Sequence, residues 1–157
     1  MNTLRPTNET DVAVAGVLRQ LKLGPDQSEL AEEDEEVYNA LTRHVYEEGA
    51  VYSGGWSYGM KHGWGVYFGT TGERYYGGWH RDKLSGMGVY HYASGNRYEG
   101  EFRDNLRHGQ GMFFWKKTEE QYFGNFKDDR RHGIGVQVWT DGTRYEGEWD
   151  MGVITGG

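Results

Sequence analysis

Tyr98-Glu-Gly-Glu-Phe102, followed by His108-Gly-Gln-Gly111, decides the fold, because the same wording recurs with substitutions from Tyr52 to the end of the chain. The recurring tyrosines are Tyr52, Tyr75, Tyr98, Tyr122 and Tyr145, separated by 23, 23, 24 and 23 residues. A constant period of this size marks a repeat architecture. The longer step belongs to the third unit, which carries the extra Gln121 and has Glu119 where Gly72, Gly95 and Gly142 mark the connection to the next unit. A longer or bulged loop is expected there.

Each unit reads as a β-hairpin. Tyr, Gly and an aromatic at alternating positions, as in Tyr52, Gly54 and Trp56 or Tyr145, Gly147 and Trp149, share one face of a strand. Three residues past the second aromatic stand Gly59, Asp82, Asn105, Asp129 and Gly152, the residue types that tolerate positive φ and mark a reversal. The chain then returns through a glycine pair to a second short apolar strand, expected to begin between Gly63 and Val66 and at the matching places in later units.

Glycine weakens a strand through backbone entropy, so its abundance needs a compensating term. Of the 26 glycines, 23 lie from Gly54 onward, together with all 6 tryptophans and all 6 phenylalanines. Large rings lying over bare glycine backbone on neighbouring strands would supply it. Disordered chains are poor in aromatics, which sets low-complexity disorder aside.

These residues resemble the MORN (membrane occupation and recognition nexus) repeat family. Its pattern, Tyr-x-Gly-x-Trp/Phe with His-Gly-x-Gly after the turn, is met from Tyr52 to Gly65, Tyr98 to Gly111 and Tyr122 to Gly135. Unit two departs with Ser85 in the His position, and unit five with Thr155. The resemblance implies a mainly β fold, an elongated, twisted antiparallel sheet of consecutive hairpins used to hold partners. The wording from Arg97 to Gly111 is most similar to repeats of ciliary radial spoke heads and other axonemal proteins. Similar repeats also accompany lipid kinases, junctophilins and a histone methyltransferase domain.

The N-terminal region differs in charge and pattern. The first 51 residues hold 4 Lys+Arg against 11 Asp+Glu, whereas the remainder holds 13 of each, so the net charge of −7 resides in that segment. Residues 11–22 place Val14, Val17, Leu18 and Leu21 at helical spacing, capped by Asp11 and stopped by Gly24-Pro25. A second helix is expected from Asp26, with Leu30, Val37, Tyr38 and Leu41 as its apolar stripe. The division is therefore an acidic segment over residues 1–44, with one or two short helices that cap the array or dock a partner, and a repeat array over residues 45–157. Residues 45–49 match the end of a preceding unit, so a strand is expected before Tyr52.

Composition narrows the function classes. The sequence has no cysteine, which removes disulfides, thiolate metal sites and cysteine nucleophiles. His62, His108 and His132 fall in one column, but equivalent positions on stacked hairpins lie roughly 10 Å apart. Two ligands of one zinc must lie within roughly 4 Å of each other. The glycine pairs precede strands rather than helices, so they are not a dinucleotide loop. No enzyme activity, metal or cofactor is expected. Net negative charge argues against nucleic acid. No secretory leader or membrane span is legible, and the expectation is a cytoplasmic, cytoskeletal protein of the cilium or axoneme.

The function expected is a non-enzymatic scaffold that presents an elongated aromatic and charged surface to a helical or extended protein partner. The rings that would bind the partner, or stack between units, are Tyr52, Trp56, Tyr75, Trp79, Tyr98, Phe102, Tyr122, Phe126, Tyr145 and Trp149. The runner-up is a phosphoinositide or membrane tether, for which the turn edge offers Lys61, Arg81, Lys83, Arg103, Arg107, Lys127, Arg130 and Arg131. Asp82, Asp104, Asp128, Asp129 and Asp150 share those turns and oppose it. A third reading is the regulatory repeat region of a larger enzyme. The fifth unit stops early, and its open strand edge is an expected site for homo-association.

Overall fold

The computed structural model describes residues 43–156; both expected helices lie outside them. The strands are β1 (Arg43–Val45), β2 (Val51–Ser57), β3 (Met60–Phe68), β4 (Arg74–His80), β5 (Lys83–His91), β6 (Arg97–Arg103), β7 (Leu106–Trp115), β8 (Glu120–Lys127), β9 (Arg130–Val138), β10 (Arg144–Asp150) and β11 (Val153–Gly156). They form one antiparallel sheet of 11 strands whose spatial order is the chain order. Neighbouring strands lie about 4.8 Å apart, so ten such steps carry the sheet about 48 Å across. The strand expected before Tyr52 is β1, which pairs with β2 through His44 and Tyr52.

Within a unit the reversal is a two-residue turn with positive φ at both positions: Tyr58-Gly59, Arg81-Asp82, Asp104-Asn105, Asp128-Asp129 and Met151-Gly152. Such turns match the right-handed twist of the flanking strands, which is why hairpins favour them. Between units the loop is longer. Gly95 N–H donates to Tyr92 O and Gly142 N–H to Trp139 O, each three residues back. In the third unit Glu119, itself at φ 59°, reaches four residues back to Trp115 O. The extra residue of that unit is absorbed in this loop, and the β8–β9 register downstream matches that of the other hairpins.

The returning strands begin earlier than the sequence pattern indicated, directly after each turn at Met60, Lys83, Leu106 and Arg130. The glycine pair lies inside the strand because the ladder is broken there. Gly54 pairs with Gly65 but Trp56 pairs with Lys61, which leaves residues 62–64 opposite Gly55 alone. The same break recurs opposite Gly78, Glu101 and Asn125. Its first glycine sits at φ 84° (Gly63), 73° (Gly86), 77° (Gly109) and 74° (Gly133), a conformation that side chains with a Cβ rarely adopt.

Candidate interaction surface

One face of the sheet is an aromatic ridge. Tyr52, Tyr75, Tyr98 and Tyr122 are fully buried on it, and Trp79, Phe102, Phe126 and Trp149 nearly so. The rings run as one unbroken edge-to-face series, Trp56–Tyr52–Trp79–Tyr75–Phe102–Tyr98–Phe126–Tyr122–Trp149–Tyr145, with centroids 4.9–5.7 Å apart. That geometry sets the positive ring edge against the negative face of its neighbour. Every ring singled out in the sequence is a member. Their packing is internal, and Trp56, at 40 % exposure, is the most open of the ten.

The tyrosine explains the glycines around it. Its ring lies flat over the partner strand, and a Cβ on Gly65, Gly88, Gly111 or Gly135 would collide with the ring and hydroxyl of Tyr52, Tyr75, Tyr98 or Tyr122. The hydroxyl then donates to a carbonyl at the break in the ladder: Tyr52 to Gly55 O (2.9 Å), Tyr75 to Gly78 O (2.9 Å), Tyr98 to Glu101 O (2.8 Å), Tyr122 to Asn125 O (2.8 Å) and Tyr145 to Glu148 O (3.0 Å). Burial pushes the Tyr75 and Tyr98 phenols above their ordinary range and those of Tyr92 and Tyr122 up to about 12, the latter opposed by the Arg131 cation.

Three of the eight bases on the turn edge belong to this ridge. Lys61 Nζ lies 5.1–6.0 Å from the ring centres of Tyr46, Tyr52, Tyr67 and Trp79. Arg107 lies over Phe113 and Phe126, and Arg131 over Trp115 and Trp149. Such cation–ring contacts gain strength where solvent is excluded. Arg81, Lys83, Arg103, Lys127 and Arg130 remain exposed along the turns. The second unit has Leu84 in the column of Lys61, Arg107 and Arg131, and beside it a shallow cleft of about 330 Å³ opens between Tyr90, Tyr92 and Phe102.

The acids in the turns lock one unit to the one before it. Asp82 N–H donates to Lys61 O while its carboxylate accepts from Lys61 N–H (2.7 Å). Asp129 does the same with Arg107, and Asn105 with Leu84. For two of the three inward cations the turn residue is an aspartate that also pairs with it, at 3.6 Å for Lys61–Asp82 and 3.1 Å for Arg107–Asp129, while Arg131 meets Gly152, whose N–H donates to Arg131 O and whose carbonyl accepts from the guanidinium. Where the inward residue is Leu84, the turn residue is the neutral Asn105. The sequence reading assigned this column only to the reversal; its second role needs the register between units, which no local pattern carries. Two of the histidines act similarly, His62 Nδ1 accepting from Arg81 N–H and His132 Nδ1 from Met151 N–H.

The opposite face changes along the array. Over the first two units Val66, Tyr76 and Val89 are buried, with Met87, paired to Glu101, 42 % exposed. Further on, Phe123 and Ile134 are 44 % and 59 % exposed. Glu99, Glu101, Glu146 and Glu148 lie on this face, as the alternation of their strands required.

The family model described as MORN repeat matches residues 52–74, 75–97, 98–117, 122–144 and 145–156, unit for unit with the hairpins described above. The chain belongs to the MORN repeat family. A comparison with curated proteins found no significant match. MORN repeats are generally non-catalytic modules of protein or membrane interaction. The geometry accounts for the family's wording: the MORN tyrosine caps a broken ladder, its glycines make room for the ring, and the second aromatic joins one unit to the previous one.

Proposed function

We propose that this protein is a non-enzymatic scaffold that holds a protein partner within a ciliary or other cytoskeletal assembly. The observation that carries the reading is the asymmetry of the sheet. One face consumes its aromatic residues in holding the array together, and the other leaves Phe123 and Ile134 open to solvent in the later units. Large apolar side chains grouped on a rigid surface mark a place for a partner. The ciliary setting is supported by the resemblance of the stretch from Arg97 to Gly111 to radial spoke-head repeats. Proximity labelling from this protein in ciliated cells tests the reading. Enrichment of axonemal proteins is expected, and labelling confined to soluble enzymes or to membrane proteins would overturn it.

A second reading, tethering to an anionic membrane, draws on the five exposed bases along the turn edge. Against it, Lys61, Arg107 and Arg131 are engaged with rings, and Asp104 and Asp128 lie exposed among the remaining bases. Flotation with phosphoinositide liposomes at physiological salt separates the two, because attraction of this kind is screened within about 8 Å.

A further inference from the structure

We propose that the face opposite the aromatic ridge, across β6 to β10, is the docking surface for a cationic amphipathic helix of about 13 residues with a base at each end. The proposal rests on the scaffold reading and specifies its site and the chemistry of the partner. Paired residues form rows that cross the strands. The middle row runs Glu99, Met112, Phe123, Val136, Glu146. The row nearer the hairpin turns is bounded by Glu101 and Glu148, with the polar pair Gln110 and Asn125 on β7 and β8 and Ile134 paired to Glu148 on β9. The row on the other side runs Arg97, Phe114, Gln121, Val138, Arg144. Apolar side chains thus fill the middle row on β7, β8 and β9 and are flanked by Phe114, Val138 and Ile134, with Gln110, Asn125 and Gln121 interspersed, and carboxylates close the patch on β6 and β10.

The dimensions select the occupant. Rows two residues apart along a strand are separated by about 6.6 Å, so three rows span about 13 Å, close to the 10–12 Å diameter of an α-helix. An extended strand would cover one row. From β6 to β10 is four strand spacings, about 19 Å, which a helix covers in about 13 residues at 1.5 Å each.

The charges select its sign. Arg97 pairs with Glu99 at 3.4 Å and Arg144 with Glu146 at 2.6 Å, so these four groups neutralise one another. Glu101 and Glu148 make no ion pair among the described residues, and Glu101 is held in place by the N–H of Gln110. A base at each end of the helix answers these two carboxylates, and such complementarity sets register and partner choice. The chain's own first 51 residues, with 11 acids against 4 bases, have the wrong sign. A second copy is the competing occupant: an in-plane two-fold axis along the middle row sets Arg97 over Glu101 and Arg144 over Glu148, but Glu99 over Glu99 and Glu146 over Glu146, and sedimentation decides it. An anionic membrane is repelled by the same carboxylates.

The test uses the full chain and designed helical peptides with one leucine stripe and terminal residues about 13 positions apart, read by fluorescence anisotropy. The peptide with lysine at both ends is expected to bind at least about tenfold more tightly than the one with glutamate at both ends, with the difference shrinking at high salt. Phe123→Ser should abolish binding while leaving the thermal transition within a few degrees. Glu148→Lys should shift preference toward a peptide with one lysine end replaced by glutamate. Equal binding of both peptides, binding indifferent to Phe123→Ser and Glu148→Lys, or a dimer in sedimentation that Phe123→Ser dissolves would each overturn the proposal. If proximity labelling returns axonemal partners that Phe123→Ser leaves unchanged, the scaffold stands and this face is wrong.

Discussion

At the scale of the residue, the tyrosine of each unit does two things that separate substitutions can distinguish. Tyr98→Phe keeps the ring over Gly111 and removes only the hydroxyl that donates to Glu101 O, so a loss of about 1 kcal/mol is expected in urea denaturation. Gly111→Ala forces a Cβ into the Tyr98 ring, and a loss of about 3 kcal/mol is expected because the neighbour is a buried ring locked by its own hydrogen bond. The order matters more than the sizes: if Gly111→Ala proves milder than Tyr98→Phe, the ring does not lie where described. The phenols also give stability a sign with pH. The folded pKa of Tyr122 is raised, to about 12, above the ordinary value of 10.0. Its contribution is therefore complete below about pH 10 and is lost as pH rises through the folded value. Thermal melts should be flat from neutral pH to about 9 and then fall. Melts that stayed flat to pH 12 would contradict the burial of these hydroxyls.

At the scale of the element, the hairpin was largely legible in the sequence and its joints were not. The tyrosine period, the alternation and the turn column are local, and repetition made each of them visible several times over. What spacing could not show is which residues meet across units. Lys61, Arg107 and Arg131 read as edge charges because a base near a turn ordinarily faces water; only the register places them over the next unit's ring. The returning strands start before the glycine pair, at Met60 rather than between Gly63 and Val66 in the first unit, because the glycines form a break within a continuous strand and not its approach. Two substitutions probe the joints. Trp79→Ala removes the ring that touches Tyr52, Tyr67 and Tyr75, and should cost about 3–5 kcal/mol. Leu84→Arg with Asn105→Asp rebuilds in the second unit the pair found as Arg107 and Asp129, and is expected to raise stability by about 1 kcal/mol through ring contact. A lower melting temperature for the double variant than for Asn105→Asp alone would show that the cleft beside Leu84 cannot hold the guanidinium.

At the scale of the whole molecule, each strand hydrogen-bonds only with its neighbours in sequence and the ring contacts reach one strand further, to the adjacent unit, so stability is close to a sum over units and their interfaces. Hydrogen exchange should then grade along the array. Slowest exchange is expected in β4 to β8, where rings and turns are engaged on both sides, and fastest in β1 and β11, which carry 3 and 4 residues. Uniform protection from end to end would indicate a cooperative globule instead. The family and the sheet could be recognised from the repeat alone, while the exposed patch over β7 to β9 required coordinates, because its residues are apolar in some units and acidic in others. Strand order has a mechanical corollary as well. The long axis runs perpendicular to every strand, so a pull between the two ends would open the ladder one hydrogen-bonded pair at a time, like a zip. A force directed along the strands would have to shear many bonds together. The array should accordingly resist loads along its strands better than tension between its two ends.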